Sequence, residues 1–216
     1  MEDPSMPSGF LNLSNQSLSS LESQSFQYTR AITQFIDISR NKLSNASFLS
    51  GFSKLLLINA DYNFFNSLGS FPSLPTLDTL CLNSNQISDL PAALDHICSK
   101  FPNVKHLSLM RNPCCPFLDE RVSDQERLNY RMSVIAHLPN LMSLDGSMVS
   151  SNEREMANKW ARDHQTGPRP AVTPFRYEAI PEPARETSIK VSMKAPEKKK
   201  KATTSEGNRF ITNKEL

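Results

Sequence analysis

The sequence predicts an α/β solenoid built from short stacked repeats, and three observations support this fold class. The pattern Leu-x-x-Leu-x-Leu-x-x-Asn-x-Ile occupies residues 77–87. The same spacing recurs in four other places along the chain. Leucines two residues apart are typical of a strand, and the asparagine that follows is typical of a turn that ends it. We therefore expect each repeat to contain one short strand and one return segment.

The period of the pattern identifies the type of repeat. The polar position falls at residues 16, 41, 63, 85 and 112, so successive repeats are 25, 22, 22 and 27 residues apart. Leucine-rich repeats have a period of roughly 20–29 residues. The sequence thus predicts a leucine-rich repeat solenoid of about five to six repeats, with short parallel strands on the concave side and helical or irregular segments on the convex side.

Four asparagines are predicted to stack inside the solenoid as a structural ladder. A strand that ends at a bend leaves backbone groups without partners, and an amide side chain both donates and accepts hydrogen bonds. One such amide per repeat can therefore supply hydrogen-bond partners to the backbone groups of the bend, which are shielded from water. The residues are Asn41, Asn63, Asn85 and Asn112.

The strands are marked by apolar pairs two residues apart. In chain order these are Leu11 and Leu13, Ile36 and Ile38, Ile58 and Ala60, Leu80 and Leu82, and Leu107 and Leu109. The longest step between repeats contains a helical stripe that is predicted to pack behind the sheet. Its residues are Leu94, Ile97, Cys98 and Phe101.

Two capped helices and a last partial repeat are predicted after Asn112. Ser123 and Glu126 have the spacing of a capping box. The helical face that follows comprises Leu128, Met132, Ile135 and Leu138, and the partial repeat comprises Leu138, Leu141 and Leu144. A second helix begins at 150–153, where Met156 and Trp160 are expected to cover the open end of the solenoid.

The composition bounds the domains and the classes of function. We expect a disordered N-terminus at 1–8, a repeat domain with its cap at 9–163, and a disordered Pro/Lys-rich tail at 164–216. No apolar run approaches the roughly 18–20 residues of a membrane span, and no secretory pattern is present. A cytoplasmic or nuclear monomer with reduced cysteines follows. No catalytic, phosphate-binding or metal-ligand spacing occurs, which indicates neither an enzyme nor a cofactor or metal site.

Partner binding is predicted at variable strand positions on the concave face. The candidates are Phe35, Asp37, Arg40, Asn59, Asp61, Tyr62, Asn83, His106, Met110 and Arg111. Aromatic residues, methionine and arginine are the types that anchor interfaces. The alternative is a solvated sheet face, with binding by the convex side or the loops.

The tail differs from the body in charge. Residues 165–216 contain eleven Lys and Arg against six Asp and Glu, a net charge of +5, whereas residues 1–164 carry −3. Such a segment is expected to be disordered alone. The lysine run at 197–201 fits a nuclear import signal, a contact with anionic lipid, or a solvated stretch. The end of the tail fits a docking motif, a frayed end, or a segment that folds back, and its candidate residues are Asn208, Arg209, Phe210, Ile211 and Leu216.

Residues 130–155, YRMSVIAHLPNLMSLDGSMVSSNERE, resemble the C-terminal cap of intracellular leucine-rich repeat proteins. That cap occurs in a splicing-factor subunit, nuclear acidic phosphoproteins and axonemal proteins, so it indicates the fold rather than the function. The matching residues are Tyr130, Arg131, Leu138, Pro139, Leu141, Leu144 and Asp145.

A narrower resemblance comes from LSLMRNPCCP at 107–116 together with SEGNRFITNKEL at 205–216. These segments resemble the leucine-rich melanocyte differentiation-associated protein family. The resemblance implies a non-enzymatic adaptor in the formation of melanosomes and other lysosome-related organelles. It also implies partners among Rab-type small GTPases and the endosomal sorting machinery. Membrane association is then expected to be indirect or weak, by recruitment to endosomal or melanosomal membranes.

The alternative from another class is a nuclear leucine-rich repeat subunit of a ribonucleoprotein complex. The shared cap and the lysine run motivate it. The net negative body disfavours direct contacts with nucleic acid phosphates. Neither reading includes a small-molecule substrate.

Overall fold

A computed structural model describes residues 9–22, 26–116 and 122–164. These residues form a seven-stranded sheet whose strands follow sequence order. The first six strands pair in parallel and the seventh closes antiparallel. The strands are Phe10–Asn12 (β1), Phe35–Asp37 (β2), Leu57–Asn59 (β3), Thr79–Cys81 (β4), His106–Ser108 (β5), Ser143–Leu144 (β6) and Ser147–Met148 (β7). The predicted leucine-rich repeat solenoid is therefore confirmed.

The core lies between this sheet and the return segments. The central residue of each inner strand is buried, and these residues are Ile36, Ile58, Leu80 and Leu107. Consecutive repeats share this core, so each repeat buries its apolar side against its neighbours. In the first repeat the equivalent side chains of Leu11, Leu13 and Leu18 are only partly buried.

The structure places the predicted asparagines in one buried column. Asn63 shows the bonding pattern. Its side-chain oxygen accepts from the backbone N–H of Leu43 at 3.0 Å, and its amide nitrogen donates to the carbonyls of Ile38 at 3.0 Å and Ala60 at 3.2 Å. Asn41, Asn85 and Asn112 each accept from the preceding repeat and donate to carbonyls of both repeats. The bends of neighbouring repeats are thus joined.

The column ends in a carboxyl group instead of an amide. Asp145 is buried, and it accepts from the backbone N–H of Leu109 and from the hydroxyl of Tyr130, both at 2.7 Å. Burial raises the pKa of this carboxyl group above its usual range, although the two hydrogen bonds oppose the shift.

The return segments are a short 3-10 helix, Ser47–Leu49, and helix α1, Leu90–Lys100. The side chain of Asp89 accepts from the backbone N–H of Ala92 at 3.0 Å and so caps α1. The prediction for Cys98 is wrong, because this thiol is exposed. The buried residues of α1 are Leu90, Ala93, Leu94 and Ile97, and Phe101 directly after the helix is buried as predicted.

Helix α2, Asp124–His137, has the predicted capping box between Ser123 and Glu126. Leu128 was predicted on its buried face but is exposed. The helix is rotated so that Tyr130 reaches Asp145, and this hydrogen bond fixes which face points inward. The buried residues are Tyr130, Met132, Val134 and Ile135.

Helix α3, Ser151–His164, covers the last repeat. Its single fully buried residue is Ala157, whose small side chain permits close packing of α3 against the core. Trp160 packs on the core while partly exposed, in agreement with its predicted covering role. Met156 is 41% exposed, so the prediction that it helps to cover the end is wrong.

An ion pair between Arg131 and Glu153 ties α2 to α3. The guanidinium donates to the Glu153 carboxylate at 2.5 Å, and both side chains are mostly shielded from solvent. This hydrogen bond is the main reason that the pKa of Glu153 falls from 4.5 to about 2. A depressed folded-state pKa stabilises the protein above the unfolded-state value, and the stabilisation is lost as the pH falls through the folded-state value.

We therefore expect Glu153→Gln to be most destabilising above pH 4.5. The difference in the free energy of unfolding between the wild type and the variant should shrink as the pH falls from 4.5 to about 2, because the wild-type carboxylate then becomes protonated. Chemical denaturation at a series of pH values measures this difference. Glu155→Gln, an exposed change on the same helix, is the control. A pH-independent difference would contradict the role of the ion pair.

Several predicted segments lie outside the described residues. They are the N-terminus at 1–8, the tail from 165 onward, the lysine run at 197–201 and the docking motif at 208–216. Within the described residues, every helix is too short or too polar to cross a membrane.

Candidate functional site

The concave face consists of the strand residues on either side of each buried central residue. Strand register aligns these residues in two rows. The first row contains Phe10, Phe35, Leu57, Thr79, His106 and Ser143. The second row contains Asn12, Asp37, Asn59, Cys81 and Ser108.

The first row divides into an apolar and a polar half. Phe10, Phe35 and Leu57 are direct neighbours in register and are partly exposed, so they form an apolar strip at the N-terminal half of the face. In the polar half, His106 Nδ1 lies 2.8 Å from Ser143 Oγ. The strip therefore offers adjacent apolar contacts on a rigid sheet.

Side chains of the second row cap the turns that follow their own strands. Asp37 accepts from the backbone N–H of Ser39 at 2.9 Å, and Asn59 accepts from that of Asp61 at 3.2 Å. Because these bonds already hold the side chains in one conformation, little further conformational entropy is lost when a partner binds them. The predicted binding residues Asp37 and Asn59 thus lie beside the apolar strip, with a negative charge on one of them.

Asp61 and Asn83, which follow β3 and β4, bond mainly to each other. Asn83 donates to Asp61 from its backbone N–H at 2.7 Å and from its side-chain amide at 3.0 Å. Its own side-chain oxygen accepts from Ser108 Oγ at 2.6 Å and from the N–H of Met110 at 2.9 Å. Burial raises the pKa of Asp61, although the bonds from Asn83 counteract the shift. Through these bonds, Asp61 and Asn83 link neighbouring repeats and hold the concave face in place.

An ion pair lies directly before strands β4 and β5, beside the C-terminal half of the face. Lys105 Nζ donates to Asp78 at 2.7 Å, and this bond keeps the pKa of the Asp78 carboxyl group low. His106 Nε2 lies 3.8 Å from the same carboxylate. Such an exposed pair contributes at most about 1 kcal/mol to stability.

Six of the predicted concave residues lie beyond the ends of the strands, namely Arg40, Asp61, Tyr62, Asn83, Met110 and Arg111. Arg40, Tyr62 and Arg111 each directly precede a buried asparagine and have positive φ angles of 55°, 56° and 59°. The left-handed conformation directs the chain out of the sheet and into the turn. These residues belong to the edge of the solenoid, next to the concave face.

Several residues of the two rows are not among the predicted candidates, and Phe10, Leu57 and Cys81 are those that add apolar or thiol groups to the concave face. Strict alternation along each strand was the available signal, because residues i and i+2 share a face. Burial and the nearby Asp61 and Asp37 raise the pKa of the Cys81 thiol to about 11, so it presents a neutral group at physiological pH.

The described residues contain no cluster of three or more His, Cys, Asp or Glu side chains able to hold a metal ion. What the concave face brings together is an apolar strip, fixed carbonyl and carboxylate groups, and a polar C-terminal half. This arrangement has the composition of a surface that binds another protein.

Comparisons with known proteins extend this result. No protein-family model matches the chain. The solved structure of the Drosophila melanogaster SNF/U2A′ complex contains a chain that superposes with a TM-score of 0.58 at 21% identity, covering 73% of this chain and 84% of that one. This likeness shows the fold. A Caenorhabditis elegans protein described as a U2 small nuclear ribonucleoprotein A′ is 31% identical over 118 residues, which cover 48% of this chain and 46% of that protein.

The human leucine-rich melanocyte differentiation-associated protein is 34% identical over 198 residues. The match covers 85% of this chain and 99% of the human protein. A match of this length includes both the repeats and the cap, so it shows more than a shared fold. The chain belongs to the leucine-rich melanocyte differentiation-associated protein family, as the resemblance in its sequence predicts.

Proposed function

We propose that the chain is a non-enzymatic adaptor whose solenoid binds one protein partner through its concave face. The apolar strip of Phe10, Phe35 and Leu57 carries this proposal, because its three side chains are in register and partly exposed. Asp37 and Asn59 lie directly beside the strip. A few apolar anchors next to fixed polar groups supply most of the free energy in protein interfaces.

The arrangement defines the chemistry of the partner. Apolar side chains of the partner pack on the strip, and donor groups such as Lys, Arg or amides meet the oxygens of Asp37 and Asn59. Both oxygens are already oriented by bonds to their turns. Preorganisation of this kind lowers the entropic cost of association.

Membership of the family supports a more specific assignment. The name of the human relative connects it with melanocyte differentiation. The concave partner in our proposal is a Rab-type small GTPase in its GTP form, and the terminal motif at 208–216 contacts an endosomal sorting complex. The adaptor would thereby act in the cytoplasm during formation of melanosomes and other lysosome-related organelles.

A pull-down with the full chain tests the first contact. We expect Rab-type GTPases loaded with a non-hydrolysable GTP analogue to be recovered better than the GDP-loaded forms. Phe35→Ser combined with Leu57→Ser should reduce this recovery by about tenfold or more, since two anchors are removed from the strip. Tyr28→Ser, an aromatic change at a position that is 86% exposed and outside the strands, is the matched control.

Two results would contradict the proposal. One is equal recovery of the GDP and GTP forms across the GTPases, or recovery of none. The other is an equal loss in the control variant, which would remove the concave face as the site of contact. Matching thermal melts of all variants show that any loss arises at the surface.

A second candidate function is that of a ribonucleoprotein subunit in the nucleus. Its support is the 31% identity to a protein described as a U2 small nuclear ribonucleoprotein A′. The same concave face would then bind a protein component, because the net charge of −3 over residues 1–164 disfavours phosphate contacts. Affinity purification followed by mass spectrometry separates the candidates. Recovery of ribonucleoprotein components in place of GTPases and sorting proteins would favour the second.

A further inference from the structure

One edge of the solenoid carries two rows of residues, one on either side of the buried asparagine column, and most of their side chains are exposed. We call this surface the asparagine edge. The residue before each asparagine forms the turn row, and the residue after it forms the loop row. The turn row contains Arg40, Tyr62, Ser84 and Arg111, and the loop row contains Lys42, Phe64, Gln86 and Pro113.

Backbone hydrogen bonds hold neighbouring rungs of this edge side by side. In the turn row, the N–H of Tyr62 donates to the carbonyl of Asn83 at 2.8 Å, and Arg40 and Ser84 make the same bond to their following repeats. In the loop row, the N–H of Phe64 donates to the carbonyl of Leu43 at 2.9 Å, and Gln86 repeats this bond. The side chains are therefore arranged on a continuous, hydrogen-bonded framework.

Exposed aromatic and basic side chains dominate the asparagine edge. Tyr62 is 40% exposed and Phe64 is 47% exposed. Arg40, Lys42 and Arg111 are also exposed, and the guanidinium carbon of Arg40 lies 4.7 Å from the centroid of the Tyr62 ring. The two rows contain three cations and no carboxylate. Aromatic and arginine side chains in this combination are typical of interface centres.

The backbone conformation of the turn row determines the direction of its side chains. Arg40, Tyr62 and Arg111 adopt left-handed φ angles that glycine or asparagine would adopt at lower cost. Ser84 of the same row also has a φ angle of 55°, so this conformation recurs at every turn of the row. Here the asparagine column enforces the conformation and so fixes the outward direction of these side chains.

We propose that the asparagine edge is a second binding surface, which takes an acidic segment of a partner protein. Carboxylates of the segment pair with Arg40 and Lys42 at one end and with Arg111 at the other. An apolar side chain between them packs on Tyr62 and Phe64. Arg40 and Arg111 are three rungs apart, on the order of 15 Å, which an extended segment of about five residues spans.

Charge complementarity favours an acidic peptide over nucleic acid. Three cations distributed over four rungs are too sparse to follow a phosphate backbone, and residues 1–164 carry a net charge of −3. A peptide needs only two charged ends and an apolar centre, which the edge matches. This surface shares no residue with the apolar strip, so the two proposals stand or fall separately.

Selection of random peptides on the full chain tests the proposal. The enriched peptides should carry net negative charge with at least one apolar residue. Arg40→Glu combined with Lys42→Glu should weaken their binding by about tenfold or more, because two attractive pairs become repulsive. Lys54→Glu combined with Lys159→Glu makes the same change in net charge at exposed positions away from the edge and should leave binding unchanged.

A further variant tests the aromatic part and separates the two surfaces. Phe64→Ser should weaken binding of the selected peptides, whereas Phe35→Ser with Leu57→Ser should not. The proposal is overturned if no peptides are enriched, if the enriched peptides lack acidic residues, or if both charge-reversal variants bind alike. Tighter binding of single-stranded polyuridine RNA than of the selected peptides would also overturn it. Equal melting temperatures of the variants confirm that the fold is intact.

Discussion

Replacing Asn112 by leucine is expected to lower the free energy of unfolding by about 2–4 kcal/mol, because the change strands several buried polar groups at once. The side-chain oxygen of Asn112 accepts from the N–H of Ile87 at 3.1 Å. Its amide donates to the carbonyls of Leu82 at 2.8 Å and Leu109 at 2.9 Å. Leucine has nearly the same size but no polar atom, and water has no access to this position.

Denaturant unfolding of the full chain measures this effect. Asn66→Leu is the matched control, since Asn66 is exposed and lies outside the buried column. We expect the control to change the free energy of unfolding by less than about 0.5 kcal/mol. Similar losses in the two variants would show that the column contributes no more than the surface does.

Replacing Arg154 by methionine is expected to have an effect of comparable size, about 2–4 kcal/mol, because a charged donor to three carbonyl groups is lost. The Arg154 guanidinium donates to the carbonyls of Ile135, Leu138 and Leu141, where α2 ends and the last repeat begins. The last carbonyls of a helix have no partners within the helix. Methionine retains the apolar stem and removes only these bonds.

Thermal and denaturant unfolding both report this change. The control is Arg162→Met on the same helix, where the side chain is exposed. If Arg154→Met melts together with the control, the guanidinium does not hold the cap in place. Loss of stability in Arg154→Met alone would show that this guanidinium anchors α3 to the end of α2 and the last repeat.

The repeat pattern predicts the strands and the asparagine positions well because their cause is local. Each bend exposes the same backbone groups, so the same side chain recurs at a readable interval. The buried faces of the helices are less predictable, since several apolar stripes on one helix fit the helical period. Cys98 and Leu128 belong to such alternative stripes, and contacts from other elements decide the outcome, such as the bond from Tyr130 to Asp145.

The residues of the candidate surfaces are likewise predictable from the sequence only in part. Alternation predicts strand positions for Phe35, Asp37 and His106, and the strand register places them there, whereas the types of Leu57 and Cys81 are more typical of a core. The separation of Arg40, Tyr62 and Arg111 onto an edge depends on backbone angles. Nor does the sequence pattern reveal that Asp61 and Asn83 bond to each other, because the two residues lie in different repeats.

The two ends of the solenoid differ in how completely their leucines are covered. Leu141 and Leu144 are buried near α3, whereas Leu11, Leu13 and Leu18 in the first repeat stay partly exposed. In a linear array, local opening starts at the coil with the fewest supporting contacts. Among the described strands we therefore expect β1 to open most readily, and this strand also carries Phe10 of the apolar strip. A ligand that contacts Phe10 would stabilise β1 against local opening. Binding of the ligand is therefore coupled to the folding of the first repeat.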